Sequence, residues 1–389
     1  MFRIRTYNRI SDLGLSQFPP DRYTVAPDLD QPDAFLLRSH KLQGEAIPDS
    51  LVAVARAGAG VNNIPLEEYT HRGIVVFNTP GANANAVKEL VAAALFLSSR
   101  DILGGMNFVQ GLKALDDGAE MARRLEQEKK HFAGTEITGK TLGVIGLGAI
   151  GAMVANMALE LGMKVAGYDP AISVEAAWRL SHRVQKVDSL EALLSISDFV
   201  TLHVPVVEQT RHLMNRTTIA RMKTGARLLN FAREEIVDVA AVLAALEQRR
   251  LAGYVTDFPV PALLGRKEVL LLPHIGASTL EAEENCAVMA AEQLMDFLAN
   301  GNIRNSVNFP ATRMTRNGGH RITFSNENVP RVLGCVLSVL ADHDINVSDM
   351  VNMSRGDIAY NIIDVENQPD RTILDAIAGA EGVIRVRMV

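Results

Sequence analysis

Short apolar runs that end in turn residues recur along the first ninety residues. The runs are AFLL at 34–37, LVAVA at 51–55 and IVVF at 74–77, and arginine, glycine, asparagine or proline follows each of them. Runs of this length between turn residues are typical of the strands of α/β units. The pattern becomes helical over residues 83–100, where apolar side chains recur on one broad face. Because ligands of open α/β sheets lie at the carboxyl ends of strands, residues directly after these runs are the first site candidates.

A second series of strands and helices starts at residue 141. Its predicted strands are 141–146, 164–168, 199–204, 227–231, 253–256 and 269–272. Its clearest predicted helices are 150–161, 190–195 and 237–249. Strands that alternate with helices in this way predict a mostly parallel sheet that is covered on both faces. The charge-rich segment 116–130, before this series, is predicted to be an exposed helix or loop.

Residues 278–389 contain one long helix and then a smaller unit. Ser278 or Thr279 caps a predicted helix that runs to Asn300, and Gly301 ends it. The polar segment 313–319 contains Asn-Gly-Gly and predicts a linker. Residues 320–389 then read as β-α-β-β-α-β, which is the ferredoxin-like order.

Composition narrows the class of protein. The chain has 389 residues, which predicts two or three domains, and 48% of its residues are hydrophobic. Its 39 basic and 45 acidic residues give a net charge of −6, which argues against a nucleic-acid partner. We expect no membrane span, no secretory signal and no metal site, because the corresponding runs and spacings do not occur. The two cysteines, Cys286 and Cys335, suit a reducing cytoplasm.

The run GLGAIG at 146–151 has the spacing of a dinucleotide-binding loop. Gly146, Gly148 and Gly151 follow a predicted strand and open a predicted helix, whose free N–H groups suit a pyrophosphate. Asp169 ends the next strand, 21 residues after Gly148, where a carboxylate would bind a ribose 2′-hydroxyl and repel a 2′-phosphate. The pattern therefore predicts NAD rather than NADP. The alternative is a plain glycine turn with a structural aspartate.

Hydride transfer to a dinucleotide requires a group that takes the hydroxyl proton, and histidine suits that role near neutral pH. His274 follows an apolar strand and precedes a helix, and it is the main candidate. His203, at the end of the strand 199–204, is a weaker one. An anionic substrate would need arginine, whose planar fork matches carboxylate and phosphate. Arg233, Arg38 and Arg56 each follow an apolar strand, with a surface salt bridge as the alternative role.

Motifs in several separate segments, in one order, resemble a known family. They are RAGAGVNNIP at 56–65, NTPGANANAVKEL at 78–90, the glycine loop, NFAR at 230–233 and PHIGAST at 273–279. Together they are similar to the D-3-phosphoglycerate dehydrogenases, which belong to the D-isomer-specific 2-hydroxyacid dehydrogenases. The last seventy residues resemble the ACT domain that ends many of these enzymes.

The resemblance implies an architecture and an activity. A Rossmann-type NAD-binding domain at 93–281 would be inserted into a flavodoxin-like substrate domain made of 1–92 and 282–312, with the active site in the cleft. After the linker 313–319, residues 320–389 would form a regulatory ACT-like unit. The implied reaction is NAD-dependent oxidation of 3-phospho-D-glycerate to 3-phosphohydroxypyruvate, the entry step of L-serine synthesis.

The resemblance also implies site residues. His274 would be the catalytic base, and Arg233 would bind the substrate's carboxylate. Substrate contacts are also expected from Arg38, Arg56 and Gly58. The segment 126–131 would reach towards a partner subunit, where Lys129 would contact the substrate. The cofactor would be lined by Gly146, Gly148, Ala149, Ile150, Gly151, Asp169, His203, Pro205, Ala232, Asp257 and Gly276.

The resemblance further implies regulation and assembly. Asn326, Asn328 and Asn346 resemble positions that bind L-serine, since side-chain amides suit an amino acid's charged groups. The alternative is that these asparagines only form turns and caps. A homodimer or homotetramer is expected.

Two positions depart from the family pattern. The acidic residue that usually orients the catalytic histidine falls on Ala262, which has no side-chain acceptor, and Glu234 follows Arg233 where glycine is usual. Loss of an orienting acid lowers turnover by roughly 10²- to 10⁴-fold in comparable arrangements. Three accounts stay open: a phosphoglycerate dehydrogenase, a dehydrogenase or reductase of another 2-hydroxy or 2-oxo acid, and a weakly active NAD-binding regulatory paralogue.

Overall fold

The computed structural model describes residues 1–389, with the side chain of residue 175 excepted. The chain divides into two compact units, one made of 1–83 and 279–389 and the other of 84–278. The first boundary precedes the predicted one at 92 because the helix that starts at residue 84 belongs as a whole to the second unit. The second precedes the predicted one at 281 because the helix that starts at residue 280 belongs, with its cap, to the first unit. None of the helices in the described part of the chain combines the length and the apolar composition needed to cross a membrane.

The first 83 residues form a five-stranded parallel sheet in the order β2-β1-β3-β4-β5, which is the flavodoxin-like order that the sequence predicts. Its elements are β1 (Phe2–Thr6), α1 (Asp12–Leu15), β2 (Tyr23–Ala26), β3 (Ala34–Leu37), β4 (Ala53–Arg56), α2 (Leu66–His71) and β5 (Val75–Phe77). The central strand β3 is buried along its whole length, as expected for a parallel sheet that is covered on both faces.

The unit of residues 84–278 contains a seven-stranded parallel sheet in the order β12-β11-β10-β9-β6-β7-β8. Its helices are α3 (Ala84–Ser99), α4 (Ile102–Gly111), α5 (Gly118–Glu128), α6 (Ala149–Glu160), α7 (Val174–Ala177), α8 (Leu190–Ile196), α9 (Arg216–Arg221) and α10 (Val239–Glu247). Its strands are β6 (Thr141–Ile145), β7 (Lys164–Tyr168), β8 (Gln185–Lys186), β9 (Phe199–Leu202), β10 (Ala226–Asn230), β11 (Leu251–Thr256) and β12 (Val269–Leu271). The strand order reverses at β6, and in such sheets ligands bind at this switch point. The predicted Rossmann-type fold is confirmed.

The chain returns to the first unit through α11 (Leu280–Asn300), which Thr279 caps and Gly301 ends in a left-handed conformation. The remaining elements are β13 (His320–Glu327), α12 (Val332–Asp342), β14 (Val347–Arg355), β15 (Ile358–Val365), α13 (Arg371–Ala378) and β16 (Val383–Met388). The antiparallel order β14-β15-β13-β16 is the ferredoxin-like arrangement predicted for these residues.

This C-terminal sheet packs on both faces within its own unit. Ile322 and Ile363 contact the core under α12 and α13, whereas Tyr360 and Ile362 join the core around Phe297 of α11. Residues 313–389 cluster with the first unit, and their division into a linker at 313–319 and a separate domain stays a prediction.

The segment 313–319 is itself fixed by contacts. Met314 is buried, and Arg316 donates to the carbonyl oxygens of Ala299 (2.9 Å) and Val389 (2.6 Å). The polar composition of this segment does not reveal these partners, which are distant in sequence.

Candidate active site

Two of the three glycines in the loop lie where a side chain would collide with the backbone, and the third has free space around it. Gly146 has φ of 88°, and a Cβ there would lie 2.6 Å from the carbonyl oxygen of His203. A Cβ on Gly151 would overlap the carbonyl oxygen of Gly146. Gly148 is exposed with open space around its Cβ position, and α6 starts directly after it. Ala149 and Ile150, half-buried, form its first turn, so the loop backbone can approach a pyrophosphate at a helix N-terminus.

Asp169 lies against this loop, as predicted. Its Oδ2 accepts from the backbone N–H of Leu147 (2.8 Å) and its Oδ1 from that of Ala171 (2.9 Å). A carboxylate held beside the glycine loop fits an adenosine ribose, because it would accept hydrogen bonds from the ribose hydroxyls. The residues present therefore fit NAD.

His203 is half-buried at the end of β9, with Nε2 3.0 Å from Oγ1 of Thr201. Burial lowers the pKa of His203 to about 3, so its imidazole is neutral at physiological pH. A neutral ring suits a residue that lines a cofactor better than one that exchanges protons. Pro205, also predicted to line the cofactor, is exposed two residues later.

Ala232 and Arg233 follow the end of β10, and the side chain of a buried asparagine binds the backbone of both. Asn230 accepts from the N–H of Ala232 (3.2 Å) and donates to the carbonyl of Arg233 (2.8 Å). The Arg233 side chain is exposed, and its Nη1 donates to the carbonyl of Ala232 (2.7 Å). Asn230 was not among the predicted site residues, although a polar residue at the end of an apolar strand is a signal that could have found it.

The loop that carries His274 is anchored by Asp257. This carboxylate is 2% exposed, and its two oxygens accept the N–H groups of Ile275 and Gly276, each at 2.8 Å. A Cβ on Gly276 would lie 3.1 Å from Asp257 Oδ2, so glycine permits this close approach. The structure thus gives Asp257 a positioning role, and its predicted place in the lining of the cofactor stays a prediction.

His274 has a left-handed backbone (φ 56°), and its side chain is exposed. Its ring contacts Phe258, with centroids 5.0 Å apart and planes at 57°. Across residues 1–389, with the side chain of residue 175 left aside, no side chain hydrogen bonds to this imidazole. The φ value is uncommon for a residue with a Cβ and marks a position that its surroundings hold in place.

The departures predicted from the sequence are visible in the structure. Ala262 is exposed in the 3₁₀ turn Pro261–Leu263 and offers no acceptor. Glu234 and Glu235 are exposed in the 3₁₀ turn that directly follows Arg233. In the described part of the chain, neither glutamate forms an ion pair with Arg233.

In the first unit, the structure brings Arg38, Arg56 and Gly58 together. Arg38 follows β3, and its carbonyl accepts from Nε of Arg56 at 2.8 Å. The Cζ of Arg56 lies 3.5 Å from the Cβ position of Gly58. Glu283 of α11, which sequence analysis missed, pairs with Arg38 at 2.6 Å. Two guanidinium groups at the ends of neighbouring strands can bind a phosphate.

Lys129 lies in the other unit, in an exposed 3₁₀ turn (Lys129–Phe132). Its Nζ is 2.5 Å from Oε1 of Glu126, and both side chains are largely exposed. Its predicted role at a partner subunit stays a prediction.

The three asparagines predicted to bind an effector do not meet within one chain. Asn326 is buried, donates to the Glu327 carbonyl and accepts from Asn361. Asn328 donates to the carbonyl of Gly356, at the same end of the sheet. Asn346 donates to Glu366. The strand register places this pair at the opposite end of the sheet, roughly 20 Å from Asn326.

Comparisons with known proteins agree with this arrangement. Residues 106–276 match the family model of the D-isomer specific 2-hydroxyacid dehydrogenase, NAD binding domain. The D-3-phosphoglycerate dehydrogenase of Escherichia coli (strain K12) is 34% identical over 354 residues, which cover 88% of this chain and 82% of that protein. The D-3-phosphoglycerate dehydrogenase of Synechocystis is 39% identical over 72% of this chain, and the match spans about half (49%) of that relative's length.

Solved structures show the same fold. An NAD⁺-bound 3-phosphoglycerate dehydrogenase of Entamoeba histolytica superposes with a TM-score of 0.60 and 25% identity, covering 79% of this chain and 98% of that one. A D-mandelate dehydrogenase of Rhodotorula graminis has a TM-score of 0.65 and 25% identity, covering 81% and 99%.

Proposed function

The chain belongs to the D-isomer-specific 2-hydroxyacid dehydrogenase family and has its NAD-binding domain, and we propose that it oxidises 3-phospho-D-glycerate to 3-phosphohydroxypyruvate. The observation that carries this substrate is that two arginines stand at the ends of the neighbouring strands β3 and β4. The Arg38 guanidinium supplies paired N–H donors, and Arg56, whose Nε donates to the Arg38 carbonyl, adds a second positive charge. Planar guanidinium groups bind a phosphate through paired N–H donors. The names of the relatives from Escherichia coli and Synechocystis support the same substrate.

The proposal assigns the remaining roles to side chains of the second unit. Arg233, whose side chain is exposed, binds the substrate's carboxylate and polarises the oxygen at C2. His274 takes the proton of the C2 hydroxyl as the bond from that oxygen to carbon gains double-bond character. The Rossmann-type unit would hold NAD⁺, which would supply the acceptor for the hydride that leaves C2. The product 3-phosphohydroxypyruvate is a precursor of L-serine.

His274 is positioned in an unusual way in this account. Asp257 fixes the backbone that follows the histidine, and Phe258 contacts the ring. These contacts supply the orientation that an acidic side-chain partner supplies elsewhere. Ala262 offers no replacement acid, so a second candidate function is an NAD-binding protein of low turnover.

A substrate panel with NAD tests the proposal. We expect the highest kcat/KM for 3-phospho-D-glycerate, with D-glycerate, D-lactate and D-2-hydroxyglutarate far below it. A preference for an unphosphorylated acid would favour a different 2-hydroxy acid as substrate. Tight NAD binding without turnover of any of these acids would favour the low-turnover candidate.

The same panel with L-serine tests the proposed effector. The amides of Asn328 and Asn346 are exposed but lie at opposite ends of the C-terminal sheet, so one serine would contact one of them from this chain and the other only from a second chain. Both amides already donate within the chain, so serine would have to replace those bonds. Kinetics that do not change with serine would remove the regulatory role.

We also propose a homodimer formed through α4. Leu103, Met106 and Val109 are 43%, 59% and 39% exposed, and no residue of this helix is buried. An apolar helix face of this kind is typical of a surface that a second subunit covers. Sedimentation of Met106→Glu should give a monomer, and an unchanged mass would place the interface elsewhere.

A further inference from the structure

Arg38 is already engaged by an anion of its own chain. Its Nη2 lies 2.6 Å from Oε1 of Glu283, and the two side chains are 41% and 40% exposed. Glu283 stands in the first turn of α11, whose capped start holds it beside the end of β3. A carboxylate at this distance occupies the guanidinium edge that a bound phosphate would use.

Arg56 cannot replace Arg38 without giving up bonds that hold the loop. Its Nε donates to the carbonyl of Arg38 at 2.8 Å, and its Nη1 donates to the carbonyl of Gly60. These donors fix the loop after β4. The guanidinium of Arg38 is therefore the one on which an incoming anion and Glu283 compete.

A buried thiol lies within the electrostatic reach of these three charges. Burial raises the pKa of Cys286, one helical turn after Glu283. The charges of Arg38 and Arg56 lower this pKa, and the charge of Glu283 raises it. All three charges thus act on one point of the first unit, where Glu283 reduces the summed formal charge from +2 to +1.

We propose that Glu283 is an internal counter-ion that sets the affinity and charge selectivity of this anion site. A phosphorylated substrate binds Arg38 in exchange for Glu283, and the carboxylate then repels the phosphate that replaces it. The site thereby binds a dianion less tightly than its two arginines alone would. This inference rests on the proposed function, because it takes the phosphate of 3-phosphoglycerate as the competing anion.

The experiment compares Glu283→Gln, which keeps the shape and removes the charge, with Glu281→Gln on the same turn. Glu281 is exposed and forms no ion pair among the residues that the structure describes. We expect Glu283→Gln to lower KM for 3-phosphoglycerate about three- to tenfold, with kcat within about twofold, because a half-exposed pair is of modest strength. KM for unphosphorylated D-glycerate should fall less, and Glu281→Gln should match the wild type.

Two further measurements separate charge from shape. Glu283→Asp retains the charge and should keep KM near the wild-type value. The gain of Glu283→Gln should shrink as salt is added, because salt screens exposed charges. An equal gain with aspartate, or a gain that is independent of salt, would overturn the proposal.

The inference and the proposed function fail in different ways. If the wild type turns over 3-phosphoglycerate but Glu283→Gln has an unchanged or higher KM, the counter-ion role is wrong and the function stands. If the wild type shows no turnover, calorimetric titration with 3-phosphoglycerate and inorganic phosphate decides. Tighter binding by Glu283→Gln then supports the counter-ion, and equal or undetectable binding by both proteins contradicts it.

Discussion

The imidazole of His274 is oriented through the backbone on which it stands. Asp257 accepts two consecutive N–H groups directly after the histidine, and Phe258 contacts the ring. A buried carboxylate with two amide donors is strongly held, because charge-assisted hydrogen bonds are short and strong. This arrangement fixes the position of the ring but does not stabilise the imidazolium that forms when it takes a proton.

Restoring an acid at position 262 should therefore increase turnover. We expect Ala262→Glu to raise kcat about tenfold or more, within the range that an orienting acid contributes. A carboxylate beside an imidazole raises its pKa, so the acid limb of the pH profile of kcat should move to higher pH. Ala262→Gln, which is neutral, is the control and should leave that limb in place. If the glutamate variant keeps the wild-type rate and profile, position 262 does not face the histidine.

His203 should make the fold sensitive to acid. Its pKa falls from 6.5 to about 3 in the folded protein because it is buried. The unfolded chain therefore binds a proton between these values where the folded chain does not, so the stability it contributes is complete above pH 6.5 and decreases as pH falls. Between pH 7.5 and 5, urea unfolding should show the wild type losing about 1–2 kcal/mol more than His203→Gln. Equal losses would show that this imidazole is not desolvated.

The glycine loop and α6 act as one element, and its glycines have separable roles. Gly148→Ala places a Cβ in open space with an ordinary φ of −66°, so we expect the melting temperature to stay within about 2 °C. The methyl group would hinder the approach of a pyrophosphate and weaken NAD binding about tenfold. Gly151→Ala, the contrasting variant, should lose both stability and NAD binding, because its Cβ overlaps the Gly146 carbonyl. Unchanged NAD affinity in Gly148→Ala would show that the pyrophosphate does not pass over this residue.

Much of the element pattern could be predicted from the sequence, because apolar runs and turn residues mark the strands and helices. The site candidates could be predicted because functional residues lie at the carboxyl ends of strands in parallel sheets. The predicted positions of His274, Arg233 and Asp169 after apolar strands agree with the structure, as does the helix that ends at Gly301. The partners of these residues could not be predicted. Asn230 is a polar residue at the end of an apolar strand, which marks it as a site candidate, but the sequence does not show that its two amide atoms bind the backbone of Ala232 and Arg233.

At the scale of the whole molecule, the features that the sequence did not predict are contacts between distant segments of the chain. Arg38 and Glu283 are separated by most of the chain, so the sequence offers no sign that they pair. The same holds for the C-terminal sheet, whose inner face covers α11. Tyr360 donates to the Gly301 carbonyl at 2.8 Å, and Arg385 donates to the carbonyls of Asp49 and Leu51.

The ion pair between Arg321 and Asp364 should be essential to this docking. The two side chains are 0% and 4% exposed, and Arg321 also donates to the carbonyls of Asn300, Met314 and Thr315. Arg321→Met leaves a buried carboxylate unpaired and should cost about 3–5 kcal/mol of unfolding free energy in urea titration. Arg371→Met breaks an exposed contact instead and should cost under about 0.5 kcal/mol. Similar losses in both variants would contradict the docked arrangement.

The most direct test of the proposed catalysis is the single-turnover rate of NADH formation from 3-phospho-D-glycerate in the wild type and in His274→Asn. If His274 takes the hydroxyl proton without an acidic partner, the rate falls by about 10²- to 10⁴-fold in the variant, while the affinity for NAD stays within about twofold. A variant rate within about twofold of the wild type would show that another group takes the proton.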